Sequence, residues 1–291
     1  MTTSRGPVVL RRRLGSVLKR LRSESGLHLD LAARQLEISP SKLSRLETGQ
    51  VVPKLRDVRD LLLLYQAPEE LTERMMRWAA EAKEPGWWHP FSAATAADLD
   101  LYISLEVEAR KIRMYSLPIS GLLQTEAYAR MLLAGAAPTA TAPELERLVE
   151  IRVGRQSVLD PNRSDAPPVE LHALLDEHAL RRGADADIMR EQLEELLRRA
   201  EWPNVTLQLL PFEAGFTRAN GTFAIFEPRD PGDGAVVNAE STGQDAYFET
   251  STELMKYDAI WEDVLARCLD PDRTRAAIER ILREGRQPTG G

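Results

Sequence analysis

The chain has one cysteine, Cys268, and four histidines in 291 residues. A single thiol excludes an intramolecular disulfide framework and thiolate zinc sites, and it fits a reducing compartment. His172 and His178 flank Asp176-Glu177, but not at the i, i+4 spacing that sets two imidazoles on one helix face. Both histidines and Glu177 therefore read as structural, and no metal is expected. Hydrophobic runs are short: Leu61 to Tyr65 falls far below the roughly 20 residues a spanning helix needs. The start lacks the basic-then-apolar order of a signal peptide. There is no Gly-x-Ser-x-Gly elbow, no phosphate-binding glycine loop and no internal repeat. Asp and Glu are abundant, so carboxylate pairs arise by chance and carry no acid–base assignment. The expectation is a cytoplasmic, non-membrane, non-enzymatic protein without cofactor. Lysine is also scarce, at six against 32 arginines, a compositional trait of a genome rich in G and C.

The overall charge of −7 disfavours a nucleic-acid partner until it is divided. Residues 1–65 hold 13 Lys and Arg against 6 Asp and Glu, a balance of +7, and the remainder carries −14. A local basic face attracts phosphates within a Debye length, whereas a distant acidic body is largely screened. The split is the electrostatic footprint expected of a head that binds double-stranded DNA.

That head is organised around Ile38-Ser-Pro-Ser-Lys-Leu-Ser-Arg-Leu-Glu-Thr-Gly49. Ser39 suits an N-cap, Pro40 the first helical position, where no N–H is missed, and Gly49 the stop. Leu43 and Leu46 are three apart and face inward. Pro40, Ser41, Lys42, Ser44 and Arg45 form the outer face, the candidates for reading bases. Arg45 is foremost among them, because a guanidinium can bond both acceptors of a guanine edge. The preceding helix starts near His28 with Leu29, Ala32, Ala33 and Leu36, and Glu37-Ile38-Ser39 is the turn. The stretch resembles the Xre/Cro type of helix-turn-helix domain through Leu21-Arg22, Leu31-Ala32 and the run Ser39 to Gly49. The resemblance implies that Arg22 pairs with Glu47, tying the first helix to the recognition helix. It also shows Leu29 where the family usually has a phosphate-contacting glutamine.

The first helix is predicted from about Val9 to Ser23, with Leu10, Leu14, Val17, Leu18 and Leu21 on one face. Arg11, Arg12 and Arg13 lie outside that stripe and are phosphate candidates, although a charge run is commonly only a solvated face. Thr48, Lys54 and Arg56 are further phosphate candidates, the last two at the entrance of a helix from about Leu55 to Tyr65. Glu69 to Lys83 reads as a connecting helix. Pro85-Gly-Trp-Trp-His-Pro90 reads as a wedge locking a linker, with a ligand-stacking platform as the other possibility. Ala97 to Tyr115 reads as one more helix.

Beyond residue 115, Val169 to Leu174, Val205 to Leu210, Gly221 to Phe226 and Ala235 to Ala239 have strand character. A long helix from about Ala184 to Ala200 separates the first two. A last helix runs from about Asp272 to Gly285, ahead of a frayed Gln287 to Gly291. The expected fold is α+β: an all-α helix-turn-helix domain over 1–66, a helical connector over 67–115, and a mixed α/β domain over 116–291. Leu117-Pro-Ile-Ser-Gly-Leu-Leu-Gln-Thr-Glu-Ala-Tyr-Ala-Arg130, with Arg152-Val-Gly-Arg-Gln156, Leu174 to Leu180, Met189-Arg-Glu-Gln-Leu193 and Asn204 to Pro211, resembles the C-terminal domain of a large actinobacterial family of Xre-type regulators. Ser120 stands where that family usually has proline. The family is described as antitoxin-like, since its members are encoded beside a small partner protein.

The resemblance implies a transcriptional regulator whose C-terminal domain receives such a partner. Gln124, Tyr128, Arg152, Gln156 and Glu177 mark the partner or ligand region. A homodimer is expected, because one short helix reads too few base pairs. A small-molecule effector is the alternative, given Tyr115, Tyr128, Phe216, Phe223, Phe226, Tyr247 and Phe248 in this half. Aromatics at strand spacing are nonetheless most often core.

Overall fold

The computed structural model describes residues 6–84, 86–88, 97–164, 166–182, 185–230, 233–241 and 245–284. The chain divides into two compact units, residues 1–92 with 99–108, and 93–98 with 109–291.

The first unit holds α1 (Pro7–Glu24), α2 (Leu29–Gln35), α3 (Pro40–Glu47), α4 (Leu55–Leu64), α5 (Glu69–Glu81) and most of α6 (Ala97–Glu108). Its core is the predicted stripe of α1, Leu10, Leu14, Leu18 and Leu21, packed on Ala32 and Ala33, Leu43 and Leu46, and Val58, Leu61 and Leu62. The two alanines carry little side-chain volume, which lets α2 cross closely. Met75, Trp78 and Ala79 of α5 belong to the same core, so the helix read as a connector packs as part of the helical head. Trp88 is buried and its indole N–H donates to Asp100 of α6. Pro85, His89 and Pro90 lie outside the described residues.

Two glycines set how near α1 comes to α3. A Cβ on Gly15 would stand 2.5 Å from the carbonyl oxygens of Leu46 and Glu47. Gly49, at φ +70°, adopts the left-handed conformation that stops α3, and a Cβ there would stand 2.6 Å from the Arg12 backbone. Only a hydrogen fits at either position.

In the second unit, β1 (Ala109–Ser116), β2 (Glu170–Asp176), β3 (Val205–Leu210), β4 (Phe223–Pro228), β5 (Val236–Ala239) and β6 (Ala246–Phe248) form one sheet in the order β3-β2-β1-β4-β5-β6. β1, β2 and β3 run parallel, and β4, β5 and β6 extend the other edge in antiparallel steps. α7 (Glu126–Ala136) and α8 (Ala142–Gly154) connect β1 to β2, and α9 (Glu177–Arg181) and α10 (Ala186–Arg199) connect β2 to β3. Both crossovers step in the same direction across the sheet, so right-handed connections put them on one face. On the other face Tyr115, Leu174, Phe223, Ile225 and Val237 pack with Trp261 and Val264 of α11 (Ser251–Leu265). The exposed edge of β3 is closed by the chain entering α12 (Pro271–Glu284). The Leu209 N–H donates to Thr274 Oγ1 at 2.9 Å, and its carbonyl accepts from the Leu269 N–H at 2.8 Å.

The expected helix over Ala97 to Tyr115 is corrected: it ends at Glu108, and Ala109–Ser116 is the central strand. No glycine or proline separates the two elements, and Arg113 breaks the apolar reading of the strand. That arginine lies beneath α11, donating to Glu227 at 2.9 Å and Asp258 at 2.7 Å and lying 5.7 Å from the Trp261 ring centroid. α11 and β6 had no counterpart in the sequence reading, although Thr250, which caps α11 by accepting from the Glu253 N–H at 3.3 Å, begins a capping signature. The segment Gln287 to Gly291 lies outside the described residues.

The α1–α3 approach is testable. Gly15→Ala forces two backbones apart and should destabilise the protein by about 1–3 kcal/mol, read as a lower urea midpoint. Gly135→Ala, where a Cβ meets nothing within 4 Å, should leave the midpoint unchanged or raise it slightly.

Candidate nucleic-acid interface

The cap of α3 forms as Ser39 Oγ accepts from the Lys42 backbone N–H at 3.2 Å, with Pro40 following. Burial of Leu43 and Leu46 leaves Pro40, Ser41 and Arg45 exposed, and Lys42 and Ser44 partly so. The helix is held by a fork: Arg22 Nε and Nη2 donate to the two carboxylate oxygens of Glu47 at 2.7 and 2.9 Å. Arg22 Nη1 also donates to the Leu27 carbonyl at 2.9 Å, so one guanidinium joins α1, the loop before α2 and α3. The bonds to Glu47 raise the arginine's pKa, so its charge is permanent.

The cations on this surface differ in availability. Arg45 is exposed, with a 3.4 Å bond from Nε to the Ser41 carbonyl one turn back. Lys54 is exposed at the N-cap of α4. Arg56 is exposed and stands 3.6 Å from Asp60. Lys42 is ion-paired through Nζ with Asp57 in the first turn of α4. That carboxylate sits where free backbone N–H groups would otherwise attract a phosphate. Thr48 Oγ1 donates to the Ser44 carbonyl at 2.9 Å, so its proton must turn before it can meet a phosphate.

The run Arg11 to Arg13 is half-buried rather than a solvated face. Arg13 lies over the Trp78 ring at 4.2 Å from the centroid, a cation–π contact between α1 and α5. Burial lowers the pKa of Arg11, partly offset by Asp100. Packing therefore claims part of this run.

In the second unit, Gln124, Arg152 and Gln156 come together around the turn that precedes α7. Ile119, Leu122 and Leu123 of that turn are fully buried, so its backbone polar groups have no water to bond and require partners. Glutamine supplies them because one side chain carries both a donor and an acceptor. Gln192 of α10 accepts from the Thr125 N–H and donates to the Leu123 carbonyl, both at 2.7 Å. Gln156 donates to the carbonyls of Gly121 at 3.1 Å and Gln124 at 2.7 Å, and accepts from Arg199 at 2.9 Å. Gln124 donates to the Ile119 carbonyl at 2.6 Å and accepts from Arg152 at 3.1 Å. Thr125 caps α7 by accepting from the N–H of the buried Tyr128 at 3.3 Å.

These residues form a polar knot that holds a buried loop. Gln192 and Arg199, which complete it, were not among the expected site residues. The only sequence signal for Gln192 was its place in Met189-Arg-Glu-Gln-Leu193.

Glu177 stands apart from the knot. It accepts from Arg181 Nε at 2.7 Å and from the Phe212 N–H at 3.0 Å, stapling α9 to the end of β3. Nε2 of His172 lies 2.8 Å from Gln208 Oε1, and burial lowers that histidine's pKa. Burial pushes the Cys268 thiol up to about 12, which leaves it un-ionised and inert near neutral pH. Among the described residues no group of three or more His, Cys, Asp or Glu is placed to hold a metal ion. Likewise, no helix among them is long and apolar enough to cross a membrane. Of the aromatics read as a pocket, Tyr115, Phe223 and Phe248 pack with the α11 core, and Phe216 is exposed.

The polar knot predicts a specific cost. Gln192→Leu keeps the bulk but strands one buried N–H and one buried carbonyl, so stability should fall by about 2–5 kcal/mol. Equilibrium urea unfolding measures it, and a fall under about 1 kcal/mol would show that the loop has other partners.

Residues 13–75 match a family described as a helix-turn-helix domain, and residues 99–280 match a domain of unknown function, DUF5753. No curated protein and no solved structure matches the chain. The chain therefore belongs to the DUF5753 family and, with its N-terminal helix-turn-helix domain, is a helix-turn-helix DNA-binding regulator.

Proposed function

We propose that the protein is a sequence-specific transcriptional regulator of the Xre type that docks α3 in the DNA major groove. The observation that carries this reading is the outer face of α3. It is capped at one end, pinned by Arg22 to Glu47, and presents exposed Ser41 and Arg45 away from the core. Arg45 reads a guanine edge, Ser41 and Ser44 make shorter contacts, and Lys54 and Arg56 position the head on phosphates. Two protomers bind half-sites about one DNA turn apart, roughly 34 Å. The protein works in the cytoplasm without catalysing a reaction.

The second unit dimerises and receives the signal. By resemblance to antitoxin-like regulators, that signal is a small protein encoded nearby. Partner binding changes DNA affinity only to the extent that it discriminates between DNA-competent and incompetent arrangements of the protein.

Selection of sites from random duplex DNA tests the reading. Wild type should recover a partly palindromic motif, and Arg45→Ala should lose preference at one G·C position by about 1–3 kcal/mol. Lys54→Ala should weaken binding to all sequences alike and make the dependence of log K on log salt shallower by about 1. Equal, steeply salt-sensitive binding by wild type and Arg45→Ala, with no motif, would overturn sequence-specific recognition.

A further inference from the structure

The cations of the α3–α4 surface are not equivalent, and the difference lies in one carboxylate. Lys42 is on the recognition helix, yet its ammonium is held by Asp57 of α4. The Asp57 side chain is 17% exposed and that of Lys42 35%, so the pair is partly shielded from solvent. Screening by salt is weaker for such a pair than for Arg56 and Asp60, where the arginine side chain is 89% exposed. Asp57 also lies in the first turn of α4, where the helix dipole favours a negative charge. Two favourable contacts, the ammonium of Lys42 and the N-terminal end of α4, therefore hold this carboxylate in place.

We propose that Asp57 is a specificity-determining residue that withholds Lys42 from DNA until α3 is seated on its cognate site. This inference rests on the reading of α3 as the recognition helix. A lysine ammonium is a point charge on a flexible stem and would bond any phosphate within reach. Paired with Asp57, Lys42 adds nothing to loose, sequence-independent association, which relies on the exposed Lys54 and on Arg56, whose pair with Asp60 is open to solvent and readily screened. On the cognate site, a fixed acceptor from a base edge or a phosphate replaces the carboxylate, and the exchange takes place there alone. Asp57 thus lowers non-specific affinity more than specific affinity, and the ratio between the two rises.

The test is a double-mutant cycle on the full-length chain. It uses wild type, Asp57→Asn, Lys42→Met and the double variant, each titrated with its selected duplex and with a scrambled duplex across a salt series. Asp57→Asn should raise affinity for scrambled DNA about tenfold at low salt. It should also steepen the dependence of log K on log salt by about 0.9, the signature of one added phosphate contact. Affinity for the selected duplex should rise less, so the specificity ratio falls. In the Lys42→Met background, Asp57→Asn should leave the slope unchanged and alter scrambled-DNA affinity by less than threefold.

An equal effect in both backgrounds would overturn the proposal, because it would show only the removal of one negative charge. An unchanged specificity ratio would overturn it as well. Asp57→Ser, which also suits a first helical turn, repeats the measurement should Asp57→Asn melt below wild type. If wild type itself fails to prefer the selected duplex, the recognition reading fails instead. That outcome is distinguishable, because the slope difference on scrambled DNA still reports whether Asp57 restrains Lys42.

Discussion

The helical head depends on how α3 is fixed against α1. Two contacts do this from opposite ends of the chemical range. Gly15 and Gly49 remove side chains so that backbones meet, and the Arg22–Glu47 fork supplies a directed, charge-assisted bond. Apolar packing of Leu43 and Leu46 alone would hold the helix near the core but leave its rotation and slide loosely defined, because hydrophobic contact is non-directional. The planar guanidinium removes that freedom. A recognition helix has to present particular atoms to a groove, so its rotation is the quantity that function requires.

The second unit solves a different problem. A loop at the end of the central strand is buried among crossover helices, and buried backbone without partners is costly. Gln124, Gln156 and Gln192 act as surrogate backbone: all three donate to loop carbonyls, and Gln192 also accepts from the Thr125 N–H. Arg152 and Arg199 then hold two of those glutamines in place. The residues that carry the strongest family resemblance in this half are thus accounted for by hydrogen-bond satisfaction. The resemblance is specific because few side chains can meet that geometry, and it does not by itself mark a reaction centre.

The two halves also treat charge differently. In the head, carboxylates sort the cations into available and withheld: Arg45 and Lys54 face solvent, whereas Lys42 is claimed by Asp57. In the second unit, Arg113 is drawn under α11 by Glu227 and Asp258, and Glu177 serves backbone and Arg181 alike. A cation's position in the sequence says little about whether it is free, since its partner lies 15 residues away for Lys42 and over 100 for Arg113.

What the amino-acid order determined by itself is the local part. It comprises the Ser39 cap, Pro40 at the first turn, Gly49 at the stop, the leucine stripe of α1 and the strands over Val205–Leu210 and Val236–Ala239. Each of these follows from neighbours within a few residues, where capping, φ preference and periodicity act. The two-part α+β plan was legible for the same reason. Tertiary structure alone decided that Ala109–Ser116 is the central strand, because its identity comes from β2 and β4 on either side. It also decided that α5 joins the head, that Arg13 lies on Trp78, and that Gln192 completes the knot. These outcomes depend on groups far apart in the chain whose burial removes water as the competing partner. No local pattern records that competition, so only the folded chain resolves it.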